Sequence, residues 1–334
     1  LASFLIVMFS FIIHLSVDID NQIASNNQAQ INNSKTDFQK VLSGESIDDK
    51  EKVDEGLDLS NILEDVFKFD ELPEDTVRLS ASTIEQLFKD TNYSLSEVRR
   101  TKKVKPIRLS LLPNEMKSIE SSGKRKSLFI KIILPLVLEE NNRIIIDRKK
   151  LFSILNKNKN SKDEIKWLNQ KFKQYGVVNK DLATLKVRMD IIPVSLAIAQ
   201  AAKETGWGTS RFAIEGNALF GQWTWSGEGI KPAGADTNAT YKVMKFNVLK
   251  ASVRAYQRNL NTHSSYKKFR FVRAQLRDDN KDLDSLKLAE YLDNYAQTGT
   301  EYTKVLKQII QQNQLKDFDE VKLLPLSVKY KNII

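Results

Sequence analysis

The sequence predicts a mainly α-helical protein with one small β-hairpin, preceded by a flexible N-terminal arm. Three observations predict it. From about residue 107 onward, apolar residues recur at three- and four-residue intervals in one segment after another. Only ATYKVMKF (239–246) alternates as a strand does, and weakly. Residues 18–60 are rich in Asn, Gln, Ser and Asp and have few large apolar side chains, so they cannot bury enough surface to order themselves. No internal repeat and no parallel-sheet alternation is visible. A chain of 334 residues, 41% of them hydrophobic, accommodates two domains, or one domain with a long extension.

The elements follow in chain order. LASFLIVMFSFIIHLSV (1–17) has no formal charge and is mostly apolar, which reads as a signal peptide or membrane anchor. Residues 18–100 are expected to form an acidic, largely disordered linker or arm, with scattered helical patterning in ILEDVFKF and TIEQLFKD. Residues 101–189 read as a helical lead-in. Phe129, Ile132, Ile133, Leu136 and Val137 fall on one helical face, DEIKWLNQKFKQY (163–175) is amphipathic, and Gly176 is a plausible stop for it. Residues 190–315 form the expected core. Pro193 suits a first helical turn, 194–202 is apolar on almost every side, and Gly206 and Gly208 end that helix. A loop and short hairpin follow, then three helical stretches beginning at VLKASVRAY, LDSLKLAEY and EYTKVLKQI. Residues 316–334 are left as a C-terminal tail.

Composition narrows the chemistry. Residues 1–98 hold 7 Lys/Arg against 19 Asp/Glu, and the remainder 45 against 23, so an acidic leader precedes a strongly basic body. Such a body is attracted to polyanions, though a solvated charged surface explains the same counts. The chain has no cysteine and only two histidines, His14 and His263. Thiol nucleophiles and Cys-ligated metals are excluded, and Ser-His-Asp chemistry and a multi-His zinc site are disfavoured.

Glu204 is the residue to which the chemistry points. It lies in the last turn of the apolar helix, beside Trp207. Burial, the partial negative charge of the helix C-terminus and a water-excluding indole all favour its protonated form. A carboxyl kept protonated near neutral pH can donate to a glycosidic oxygen. Pairing with Lys203 or Arg211 at the surface is the competing reading. Trp207, Trp223 and Trp225 cluster nearby and suit the apolar faces of sugar rings, or a core.

ETGWGTSRFAIEGNALFGQWTW (204–225) resembles the signature of bacterial glucosaminidase-domain proteins, the Bax-type envelope proteins in particular. The likeness extends to FIKIILPLVLEENNRIIIDRKKL (129–151), RMDIIPVSLAIAQAAKE (188–204) and SVRAYQRNLNTHSSYKKFRFVRAQLR (252–277), covering roughly residues 107–315. Thr205 stands where Ser is usual and Ala218 where a second Asn is usual.

The resemblance implies a lysozyme-like helical domain. It also implies a peptidoglycan hydrolase, an endo-β-N-acetylglucosaminidase that cleaves the β-1,4 bond after N-acetylglucosamine with Glu204 as general acid. For a second catalytic group it points to Glu228, with Asp236 as runner-up and Glu215 as structural. Tyr302 matches a tyrosine that approaches the reacting sugar, with Tyr295 able to fill that place. Trp207, Phe220, Gln222, Trp223, Trp225 and Tyr295 are the expected substrate-binding residues, and His263 is expected to hydrogen-bond within a loop. The partner is the peptidoglycan glycan strand, with inner-membrane anchoring through residues 1–17. Neither cofactor nor metal is expected, and no nucleic-acid motif accompanies the basic charge. The expected location is the cell envelope, on the periplasmic side. Lytic transglycosylation, or glycan binding without turnover in wall morphogenesis, are the alternatives.

Overall fold

The computed structural model describes residues 59–68, 70–74, 76–224, 229–232 and 241–325. The leader 1–17 and the arm as far as residue 58 lie outside the described residues. Among those described, no helix is long and apolar enough to cross a membrane. The chain divides into two units, residues 1–55 with 181–184, and residues 56–180 with 185–334. Of the first, only Asp181–Thr184 is described. There the Asp181 carboxylate accepts from the Ala183 and Thr184 amides at 3.1 and 2.8 Å and opens a helix, α6, Leu182–Arg188.

The second unit is mainly helical, as the sequence predicts, and carries two small sheets where the sequence predicts a single hairpin. Its order begins with α1 (Leu59–Phe67), α2 (Ala81–Asp90), α3 (Leu95–Thr101) and β1 (Lys103–Val104). Then come the long α4 (Ser122–Leu155), α5 (Lys162–Gln174), α7 (Val194–Thr205) and α8 (Arg211–Gly216). Strands β2 (Trp223–Thr224), β3 (Gly229–Ile230) and β4 (Lys242–Met244) precede α9 (Leu249–Thr262), α10 (Lys267–Asp278), α11 (Ser285–Ala289), α12 (Thr300–Gln312) and β5 (Lys322–Leu323). Helix α7 runs through the core, with α4, α12 and a 3-10 turn at Leu315–Phe318 packed around it. The expected hairpin is a three-stranded antiparallel sheet of order β2-β4-β3, with Trp223 opposite Val243 and Ile230 opposite the same Val243.

Two sequence expectations are corrected. The sequence leads one to expect a largely disordered arm to residue 100, yet α1, α2 and α3 lie within that stretch. Ser80 and Ser94 cap α2 and α3 by accepting from the Thr83 and Glu97 amides, both at 3.2 Å. Ile84, Phe88, Tyr93 and Val98 are buried in the main core. Tyr93 has a specific task. Pro135 lies inside α4 and lacks an N–H, so the Lys131 carbonyl one turn earlier loses its helical donor. The Tyr93 hydroxyl donates to that carbonyl at 2.9 Å.

The C-terminal tail is the second correction. Phe318 and Val321 are buried, and β5 pairs in parallel with β1, Lys103 opposite Lys322. Residues 326–334 lie outside the described residues.

Candidate active site

Helix α7 presents Glu204. Its start is held by Asp319, whose carboxylate accepts from the Ser195 amide at 2.8 Å and the Ser195 hydroxyl at 2.7 Å. Burial pushes the Asp319 carboxyl up to about 6, against the pull of those two bonds. Its end is set by Gly206 in the left-handed conformation, after which the Trp207 amide donates back to the Ala202 carbonyl at 3.0 Å. The hydroxyl that Thr205 retains is used. It donates to the Ala201 carbonyl at 2.6 Å and accepts from the Gly208 amide at 2.9 Å. Gly208 has φ +82°, and a Cβ there would sit 3.0 Å from the Phe129 ring, so the loop closes on the core at a point with no room for a side chain.

Glu204 is half-buried. Burial pushes its carboxyl above the ordinary carboxylate value; the Tyr302 hydrogen bond and the Lys203 charge oppose this without reversing it. Arg211, the other candidate partner, instead donates to the Lys231 carbonyl at 2.6 Å. Across from Glu204 lies Gly221, at φ +61°, where a Cβ would stand 3.3 Å from a Glu204 carboxylate oxygen. The backbone of the loop after α8 therefore runs directly beside the acid.

Beneath Glu204 lies a cage of tyrosines. Tyr302 on α12 is buried, and burial together with the Glu204 charge raises its hydroxyl far above the ordinary tyrosine value. It is a permanent donor. Tyr295 stacks on it at 5.5 Å with rings 8° apart and donates to the Phe220 carbonyl at 2.8 Å. Phe220 stacks on Tyr256 at 3.8 Å, and Tyr266 lies 5.9 Å from Tyr295. Burial raises Tyr256 and Tyr295 well above the ordinary value, and Tyr266 to about 12. No hydroxyl in the cage becomes a phenolate near neutral pH.

The remaining sequence-predicted residues divide. Trp207 is half-buried, edge-on to Phe129 at 5.9 Å with the Lys126 ammonium 5.1 Å over its ring. The Phe220 ring is 2% exposed, so it forms part of the floor and offers the site its carbonyl. Gln222 donates to the Ala255 carbonyl at 3.2 Å and ties the loop to α9. Trp223 is 49% exposed and meets Tyr241, 38% exposed, edge-on at 5.2 Å. Glu215 is exposed on α8. His263 accepts from the Ser265 amide at 3.2 Å, a loop hydrogen bond of the kind expected. Trp225, Glu228 and Asp236 lie outside the described residues.

Comparison with known proteins adds the family. Residues 179–315 match the family model described as mannosyl-glycoprotein endo-beta-N-acetylglucosaminidase. The chain is 35% identical over 214 residues to Protein bax of Escherichia coli strain K12, covering 61% of this chain and 75% of that protein. The chain belongs to the Bax-type glucosaminidase-domain family. No solved structure matches it. For a Bax-type chain a glycosidase-like role on a glycan such as peptidoglycan follows from the family.

Sequence reasoning missed three residues of this Bax-type site: Gln200, Tyr256 and Gly221. Gln200 stands four residues before Glu204, which places both on one helical face. A lone amide in an otherwise apolar helix was the available signal.

Proposed function

We propose that this protein is a peptidoglycan hydrolase that cleaves the β-1,4 bond after N-acetylglucosamine, with Glu204 as general acid. One observation carries the reading. Glu204 is a half-buried carboxyl raised by desolvation at an open helix end, hydrogen-bonded by a tyrosine that stays protonated. Such a group keeps its proton to higher pH than a free carboxyl and can release it to a leaving oxygen within reach.

Tyr302 steadies the carboxylate left after transfer. Tyr295 holds Tyr302 in place by stacking. The exposed Trp223 offers a flat apolar face to a sugar ring, with Tyr241 beside it. Trp207 borders the acid, and Gln222 and the Phe220 carbonyl keep the loop after α8 against it. Trp225 belongs to the same aromatic run. Glu228, in the sequence run SGEG, is the candidate second carboxylate. A separation from Glu204 of about 6.5–9.5 Å admits a water and gives inversion, and about 5–5.5 Å gives a covalent route. The substrate's own acetamido group is the third way to complete the displacement. The site of action is the cell envelope, where this polymer lies.

Mass spectrometry of digested peptidoglycan tests bond and reaction together. Soluble fragments with N-acetylglucosamine at the new reducing end are expected, and none from Glu204→Gln. Anhydromuramic ends would make the enzyme a lytic transglycosylase. Undiminished turnover by Glu204→Gln would remove the mechanism, and retention on insoluble wall without released sugar would make the protein a binder.

A further inference from the structure

Gln200 precedes Glu204 by one turn on α7 and is wholly buried. Burying a carboxamide is costly unless both of its ends are bonded. Here both are. Its carbonyl oxygen accepts from the Tyr256 hydroxyl at 2.6 Å, and its nitrogen donates to the Tyr302 oxygen at 3.0 Å. The Tyr302 oxygen thus has an acceptor position filled, and its one hydrogen remains for Glu204, to which Tyr302 is hydrogen-bonded. The direction of donation runs from Tyr256 through Gln200 and Tyr302 to the carboxyl.

We propose that Gln200 is a positioning residue, whose amide orientation directs the Tyr302 hydrogen onto one oxygen of Glu204 and so reserves the other oxygen for the transferable proton. The alternative amide orientation shows why the orientation matters. Reversed, the amide nitrogen would donate to Tyr256, and the amide oxygen would accept the Tyr302 hydrogen and take it from Glu204. Tyr256 opposes that reversal. Its ring lies flat on Phe220 at 3.8 Å, and its own hydrogen would need a new acceptor in a fully buried setting. A hydroxyl that accepts one hydrogen bond also donates more strongly, so the chain is worth more than its separate links.

The groups facing Glu204 come from several elements. Lys203 lies on its own helix, Tyr302 comes from α12, Tyr295 from the 3-10 turn before it, Tyr256 from α9 and Tyr266 from the turn after α9. All four tyrosines remain protonated, so the carboxyl titration reads Glu204 itself.

This role rests on the reading of Glu204 as the acid, but its test does not need turnover. The full chain, labelled with carboxyl-13C glutamate, is titrated by NMR, with Glu204→Gln assigning the resonance. Gln200→Leu is expected to raise the Glu204 midpoint in the same direction as Tyr302→Phe. The double variant should move it no further than Tyr302→Phe alone, because Gln200 acts through that hydroxyl. In wall digestion Gln200→Leu should lower kcat roughly three- to tenfold, the worth of one neutral hydrogen bond, with KM within about twofold.

Should Gln200→Leu fail to fold, Tyr256→Phe frees the amide to turn and should give a smaller shift of the same sign. An unmoved midpoint in the folded variant, or shifts that add in full, overturns the role. A chain silent toward peptidoglycan but showing the shift would remove the hydrolase reading and leave the positioning role standing.

Discussion

The hydroxyl of Tyr93 is a small group with a large expected effect. It donates at 2.9 Å to the Lys131 carbonyl, which Pro135 deprives of its helical partner. Tyr93→Phe keeps the ring, and with it the edge-on contact to Phe88 at 5.0 Å, but leaves that carbonyl without a donor among buried side chains. An unsatisfied buried acceptor costs about 1–3 kcal/mol. At roughly 2–4 °C per kcal/mol for a domain of this class, the melting point should fall by roughly 2–12 °C. The cause is separable from general loss of packing. Pro135→Ala restores an N–H to the same carbonyl, so in that background Tyr93→Phe removes a redundant donor and should cost under about 0.5 kcal/mol. Urea unfolding followed by circular dichroism on the four proteins gives the coupling, expected to be at least about 0.5 kcal/mol. Equal losses in both backgrounds would refute the argument.

Three further outcomes follow from the same contacts. The Glu204 carboxyl is raised in the folded state, so its contribution is fully present below the unfolded value near 4.3 and is lost as pH rises through the folded value. Glu204→Gln imitates the protonated form and should therefore melt above the wild type at pH 7, the gap closing near pH 3.5; a lower melting point at pH 7 would contradict it. Trp223→Ala should leave stability within about 0.5 kcal/mol, given the residue's exposure, yet weaken chitooligosaccharide binding several-fold by calorimetry; unchanged affinity removes Trp223 from the glycan path. Asp319→Ala should lower stability by roughly 1.5–3 kcal/mol, since it strips two bonds from the start of α7, and an unmoved urea midpoint would show that α7 is held elsewhere.

What was legible in the sequence was local. Helix α5 carries its own start in Ser161 and Glu164, which form a capping box, and α7 is bracketed by Pro193 and Gly206. Glu204 could be found because its helix end, its neighbouring Trp and its glycines lie within a few residues. What was not legible depends on distant partners. Gln200 acquires its meaning from Tyr256 and Tyr302, 56 and 102 residues away. The helical patterning of ILEDVFKF and TIEQLFKD was visible, but the acidic composition of the arm concealed that these helices pack. The groups that order them lie far off: Lys131 for Tyr93, Arg258 for Asp65 at 2.8 Å, and the Asn247 amide for Asp70 at 2.8 Å.

Those distant contacts bear on where the functional unit ends. The two helices that frame the site, α7 and α9, each begin with amides lacking helical partners and with the positive end of a dipole. Both are met by carboxylates from outside the matched span 179–315. Asp319 takes the Ser195 amide at α7, and Asp70 takes the Asn247 and Val248 amides, at 2.8 and 3.1 Å, at α9. The loop after Glu204 is likewise closed by Met116 and Phe129, which stand 3.1 and 3.0 Å from the Cβ position of Gly208. The tyrosine cage can hold a carboxyl in a raised state only if these helices do not shift, because displacement would rehydrate the acid. The buried ions between α1, α4 and α9 serve the same end. Burial works to raise the Glu140 carboxyl, but Arg143 and Arg254 outweigh it and hold it ionised, and an ionised pair in that interior keeps its place only while all three helices stay packed. The segments on either side of the matched span are therefore part of what keeps Glu204 half-dry.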